Sequence, residues 1–275
     1  MRDYVRPQTL SEVIAHLAQG AQRLLAGGTD LYPTAGRKLT GPVLDLTGVD
    51  ELRGFRAANG LRIGAATTWT DIAEAALPPA LHALQQAARQ VGGRQIQNAG
   101  TIGGNLCNAS PAADGVPPLL VVDAQVELVS SLGTRHLPLS KFISGPRKTA
   151  LAPGEVLTAV TIPETSLGGR SAFEKLGART HLVISIAMVA ARVRLDGGRI
   201  GDIAIAVGSC SGVAVRLAAV EQAVKGARLD QVVGLICPED VAAALSPIDD
   251  VRATATYRIK AAVELVTRAV AEAAR

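Results

Sequence analysis

Two glycine clusters hold the residue types and spacing best suited to chemistry in this 275-residue chain. The first is Leu24-Leu25-Ala26-Gly27-Gly28-Thr29-Asp30-Leu31, and the second is Gly100-Thr101-Ile102-Gly103-Gly104-Asn105. Each runs from an apolar lead-in through Gly-Gly to a small polar residue. Glycine lets the backbone approach a ligand closely and accepts positive φ. Successive backbone N–H groups in such a turn form an anion nest suited to phosphate, and Thr or Asn adds side-chain hydrogen bonds. Two such loops could hold the two phosphates of one dinucleotide. Spacing alone favours two tight turns and gives a phosphate site only weak support, because Gly92-Gly93, Gly168-Gly169 and Gly197-Gly198 repeat the pair elsewhere.

Other chemistries lack their residues. The chain has no Gly-x-Gly-x-x-Gly and no Walker loop ending in Gly-Lys-Ser/Thr. It also has no His-Glu-x-x-His and no Gly-x-Ser-x-Gly. His16, His82, His136 and His181 share no motif; the first three read as surface residues and His181, beside an apolar run, as a structural one. Cys107, Cys210 and Cys237 lie far apart. An iron–sulfur cluster usually takes four thiolates and a structural zinc four N/S ligands, so redox chemistry here would need an organic cofactor. The net charge of +4 comes from scattered Lys and Arg, with only three Phe, three Tyr and one Trp. Nucleic-acid binding asks for a clustered basic face, and none is expected. The longest apolar stretch, Leu182 to Ala191, spans ten residues, short of the ~18 of a membrane span. Met1 to Pro7 lacks the apolar run of a signal peptide, which points to a cytoplasmic protein, where disulfides are rare.

The elements that must position the glycine clusters can be read from periodicity. Thr9-Leu10-Ser11-Glu12 predicts a capping box, followed by a helical stripe at Leu10, Val13, Ile14 and Leu17 that stops at Gly20. Strands are expected at 23–26, 42–49, 61–66, 125–130, 156–162 and 171–176. Two more, over 182–195 and 200–207, flank the hairpin signal Asp196-Gly197-Gly198. Helices are expected at 79–91, 213–225, 238–245 and 251–274. The stretch from Arg94 to Pro118 has neither period and reads as a long functional loop.

Longer motifs carry a family resemblance. The first glycine motif, then Gln95-Ile96-Gln97-Asn98-Ala99 leading into the second, then Asn108-Ala109-Ser110-Pro111-Ala112-Ala113-Asp114, resembles the FAD-binding medium subunit of molybdenum hydroxylases. That family includes bacterial xanthine dehydrogenase and carbon monoxide dehydrogenase. Ser171 to Arg179 and Asp250 to Arg258 are similar to its later segments, so the resemblance runs the length of the chain.

The resemblance implies an α+β fold: an FAD-binding domain of the vanillyl-alcohol-oxidase (PCMH) type with a C-terminal α/β domain. Residues 1–163 would form the first domain, with subdomains of about 1–55 and 56–163, and residues 164–275 the second. Leu24, Leu25, Ala26, Gly27, Gly28, Thr29, Asp30 and Leu31 would wrap the pyrophosphate and ribityl chain. Thr101, Ile102, Gly103, Gly104 and Asn105 would hold the diphosphate from the other side. Ser110 would shape its loop, and Asp114 would meet the sugar or adenine end. Leu157 would pack on the flavin, and Lys175 would reach the isoalloxazine. No catalytic or metal-ligating residue is expected in this chain.

The resemblance also implies partners. A large subunit would carry the molybdopterin cofactor and a small one two 2Fe-2S clusters, in an (αβγ)2 heterohexamer. Electrons would pass through FAD to NAD, oxygen or a quinone-linked acceptor. Two departures matter. Many relatives have an acidic or Gly-Asp element where this chain has Thr180-His181-Leu182-Val183-Ile184-Ser185, which leaves the acceptor open because nearby charge tunes a flavin. Three dispersed cysteines also rule out the extra 4Fe-4S cluster of the 4-hydroxybenzoyl-CoA reductase branch. Two alternatives remain. One is a self-contained FAD reductase or oxidase, for which His181 or Ser185 would be the acid or base. The other is a nucleotide-binding scaffold without flavin.

Overall fold

A sheet buries a face by stacking on another layer, here mostly helices. The structure, a computed structural model, describes residues 4–36, 39–57, 59–180 and 182–275. Three sheets carry the architecture. The first is parallel, with Val43–Asp45 between Tyr4–Val5 and Arg23–Leu25. The helix Leu10–Leu17 connects its two outer strands, and its Val13 and Leu17 pack with Leu44, Leu46, Val49 and Leu52. Thr9 caps that helix by accepting from the Glu12 N–H. The return bond of the expected capping box lands one residue early, from the Gln8 N–H to Glu12.

The second sheet is antiparallel, in the order Phe55–Ala57, Gly60–Gly64, Val156–Pro163, Gln125–Ser130, Gly133–Pro138. Its central strand Val156–Pro163 is bulged at Thr158. The third is antiparallel, in the order Arg170–Leu176, Ala187–Asp196, Arg199–Gly208, Val215–Arg216. The hairpin between its two long strands turns on Gly197 and Gly198, both at positive φ, as a primed two-residue turn needs.

The third sheet is buried on both faces. Met188, Ala190, Ala204 and Ala206 join the core shared with Leu84, Leu119 and the second sheet. Val189, Val193, Ile203 and Ile205 point the other way, onto the helices Ala218–Val224 and Ala255–Ala273. Small alanines on the first face let the helices His82–Gln90 and Val116–Leu120 lie close. This double burial explains the unbroken apolar reading of the strand.

Several expectations need correction. The predicted loop over 94–118 is instead three short helices, Arg94–Ala99, Ile102–Asn108 and Val116–Leu120. They are too short to show a helical period. The predicted strand 182–195 begins only at Ala187, and residues 182–185 stand outside the sheet. The predicted helix 213–225 is helical only over Ala218–Val224, because Val215–Arg216 pairs at the sheet edge. The predicted strand 42–49 ends at Asp45, whose carboxylate caps the next turn at Thr47. No helix among the described residues is long and apolar enough to cross a membrane.

Candidate functional site

The first glycine motif begins where the strand Arg23–Leu25 runs out. Alternation along that strand turns Leu25 into the core, 6% exposed, and leaves Leu24 on a cavity of about 820 Å³. Ala26, Gly27, Gly28, Thr29, Asp30 and Leu31 continue the cavity wall. Gly28 turns at φ +70, a left-handed conformation that costs glycine nothing. Among the described residues, the backbone N–H groups of Gly27, Gly28, Thr29 and Asp30 donate to no protein group. Four donors are therefore left for a ligand.

Gly27 also fixes how the two motifs meet. A Cβ there would stand 1.8 Å from the Ala99 carbonyl oxygen, so only glycine lets this loop lie on the backbone leading into the second motif.

That second motif uses its amides differently. Ile102 N–H donates to Thr67 O at 3.1 Å, Gly103 to Ala65 O at 2.8 Å, Gly104 to Thr101 Oγ at 3.1 Å and Asn105 to Thr101 O at 3.0 Å. Four of the five amides expected to form a nest at 101–105 are thus spent inside the protein. What the motif offers the cavity is the Thr101 and Asn105 side chains and the bare surfaces of Gly103 and Gly104. Gly103 is required by packing: a Cβ there would meet Ala65 at 2.7 Å. The buried Asn105 Oδ1 has no hydrogen-bond partner, and such an acceptor costs stability unless a donor reaches it.

Ser110, Asp114 and Leu157 line the same cavity. Ser110 Oγ accepts from the Ala112 N–H at 3.2 Å, which holds its turn. Leu157 is 3% exposed, in the central strand of the second sheet. Asp114 is buried, with Lys175 Nζ 2.7 Å from Oδ2 and Ser185 Oγ 2.5 Å from Oδ1. Burial pushes the Asp114 carboxyl above the usual carboxylate range, and the Lys175 ammonium and the Ser185 hydroxyl pull against it.

Three predicted residues stand behind the wall. Leu25 and Ile102 are core side chains. Lys175 is held by Asp114 and by the Gln90 carbonyl at 3.2 Å, and Asp114 lines the cavity where Lys175 does not. Asp114 and Lys175 therefore serve one place, not opposite ends of a dinucleotide. Ser185 commits its hydroxyl to Asp114, and His181 lies outside the described residues.

The cavity also gathers residues the sequence reading passed over. Arg147 forms part of its wall, at φ +59 in the tight turn between Ile143–Gly145 and Lys148–Thr149. Its guanidinium donates to Asn108. The buried Trp69 backs the second motif against Gly100 and Gly115. Leu182, Val183 and Ile184 complete one side. The Gly-Pro-Arg-Lys run at 145–148 was the visible signal for Arg147, and the only tryptophan in the chain for Trp69.

Comparison with known proteins places this geometry. Residues 1–165 match the family model for the FAD binding domain in molybdopterin dehydrogenase, and residues 171–273 match the CO dehydrogenase flavoprotein C-terminal domain. The chain is 34% identical over 279 residues to a putative xanthine dehydrogenase FAD-binding subunit of Escherichia coli, covering 98% of this chain and 95% of that one. It is 30% identical over 276 residues to the glyceraldehyde dehydrogenase medium chain of Sulfolobus acidocaldarius, covering 98% of each. A solved carbon monoxide dehydrogenase from Hydrogenophaga pseudoflava superposes with a TM-score of 0.88 at 30% identity, over 99% of this chain and 96% of that one.

Proposed function

The chain belongs to the FAD-binding family of molybdopterin dehydrogenases, and from that premise we propose that it is the electron-transfer flavoprotein subunit of a multi-subunit molybdenum hydroxylase. It is an oxidoreductase component. The observation that carries the assignment of the site is the row of four unspent N–H groups at Gly27–Asp30 on the cavity wall.

The residues present fit FAD. About 820 Å³ is near the upper end of small-molecule sites, as a dinucleotide requires. Amides of Gly27, Gly28, Thr29 and Asp30 would take the pyrophosphate oxygens, as backbone N–H nests do. Asn105 Oδ1 is an acceptor, so it would bond a ribityl or ring donor and not a phosphate. The Asp114 carboxylate would likewise accept, and Leu157 would pack on the ring system. When bound, FAD supplies exchange between single-electron donors and a two-electron acceptor; the protein supplies position and local charge.

In this proposal residues 1–163 clasp the cofactor and residues 164–275 close its flavin side. A small subunit with two 2Fe-2S clusters feeds electrons in, and a large molybdopterin subunit hydroxylates the substrate. The assembly would be a dimer of such heterotrimers in the cytoplasm, where the three free cysteines stay reduced. NAD, oxygen and a quinone-linked compound are the acceptor classes to compare. Purification from the native source under mild conditions tests the role. Copurification with two further chains, bound molybdenum and iron–sulfur absorbance is expected. A flavin-loaded single chain that turns over a substrate would contradict it.

A further inference from the structure

Ser185 has no role in the site described above, yet it is 2% exposed and hydrogen-bonds a carboxylate on the cavity wall. Through that carboxylate three distant segments are joined. Asp114 follows the second glycine motif, Lys175 comes from the strand Arg170–Leu176, and Ser185 lies just before the strand Ala187–Asp196.

The three residues preceding Ser185, namely Leu182, Val183 and Ile184, form one side of the cavity. Apolar as they are, Leu182 and Ile184 are 57% and 52% exposed. Leu182 reaches across to the Gly92-Gly93 turn, where a Cβ on Gly93 would stand 2.8 Å from its Cδ2. Leu182 also holds φ +53, a conformation that a leucine keeps only when its surroundings impose it. Two bonds sit at the end of this segment: Ser185 to Asp114, and Ile186 N–H to Leu176 O at 2.8 Å. The second belongs to the sheet edge. At the start of the segment the Arg179 guanidinium donates to the Leu182 carbonyl; of these bonds, the one from Ser185 reaches a residue of the cavity wall.

We propose that Ser185 is a positioning residue whose bond to Asp114 latches residues 182–184 as a lid across the cavity, and so sets how fast the cofactor leaves. This rests on the FAD reading. With the latch closed, the strained Leu182 is held against Gly93 over the ligand. With it broken, the Ser185 end of the segment comes free and the apolar cover lifts about the Arg179–Leu182 bond, while the amides of Gly27–Asp30 stay in place.

The test loads the full chain with FAD and follows flavin fluorescence on dilution, comparing wild type with Ser185→Ala, Ser185→Thr and Leu182→Gly. Ser185→Ala is expected to release FAD about tenfold faster, and Ser185→Thr, which keeps the hydroxyl, at nearly the wild-type rate. Leu182→Gly suits the left-handed backbone, so it is expected to release FAD fast without a lower thermal midpoint. If Ser185→Ala fails to fold, Leu182→Gly decides by its rate alone. Normal loading with wild-type release in the Ala and Gly variants would overturn the latch and leave the FAD site standing. A wild-type chain that takes up no FAD would overturn both.

Discussion

At Lys175 and Asp114 a sequence reading could name both residues and still miss what they do, because 61 positions separate partners 2.7 Å apart. Their pairing has a pH consequence. In Lys175→Met the buried carboxyl loses its counter-charge, so its folded pKa rises further above the unfolded value of about 3.9. A carboxyl with a raised folded pKa contributes stability below its unfolded pKa and loses it as pH climbs through the folded one. The deficit of Lys175→Met against wild type is therefore expected to grow from pH 5 to pH 8, reaching about 3 kcal/mol. Denaturant unfolding at both pH values checks this, and a deficit independent of pH would contradict it. Glycine at 27 was legible as a type, but its reason was not. Proximity to Ala99 O belongs to tertiary structure, and no spacing rule displays it.

Among the elements, legibility followed period length. The helices Leu10–Leu17, His82–Gln90 and Ala255–Ala273 are long enough to show their stripes, and the Gly197-Gly198 hairpin shows its turn. The helix Ile102–Asn108 runs for only seven residues through two glycines, and its N-cap Thr101 looked like part of a loop. The strand Gly133–Pro138 is polar and mostly exposed, so it carries no apolar alternation; pairing with Gln125–Ser130 makes it a strand. The start of the C-terminal helix is held by Asp250, which binds the buried Arg258 at 2.7 Å as well as Arg252. Backbone and guanidinium donors, the Arg252 N–H foremost, hold its carboxyl down at about 2. That depressed value adds stability above the ordinary 3.8 and loses it as pH falls through about 2. Asp250→Asn is expected to lower the thermal midpoint at pH 7 and to flatten its fall between pH 4 and pH 2. A midpoint falling as steeply as wild type would contradict the tie.

At the scale of the whole molecule, one core runs from the second sheet through the helices His82–Gln90 and Val116–Leu120 to the inner face of the third. The cavity draws its wall from the loop after the first sheet's strand Arg23–Leu25, from the second glycine motif and from Leu182–Ile184 ahead of the third sheet. Motif strings gave the two loops and their family, whereas closure by Arg147 and by residues 182–184 appears only once the chain is folded. The most direct test of the central claim is a titration of the cofactor-free chain with FAD, followed by quenching of flavin fluorescence. One FAD per wild-type chain is expected, with affinity at least tenfold weaker (about 1.4 kcal/mol) in Gly27→Ala, where the loops are forced apart. A wild-type chain that binds no FAD, or a Gly27→Ala chain that binds it equally well, would contradict the site assigned to those amides.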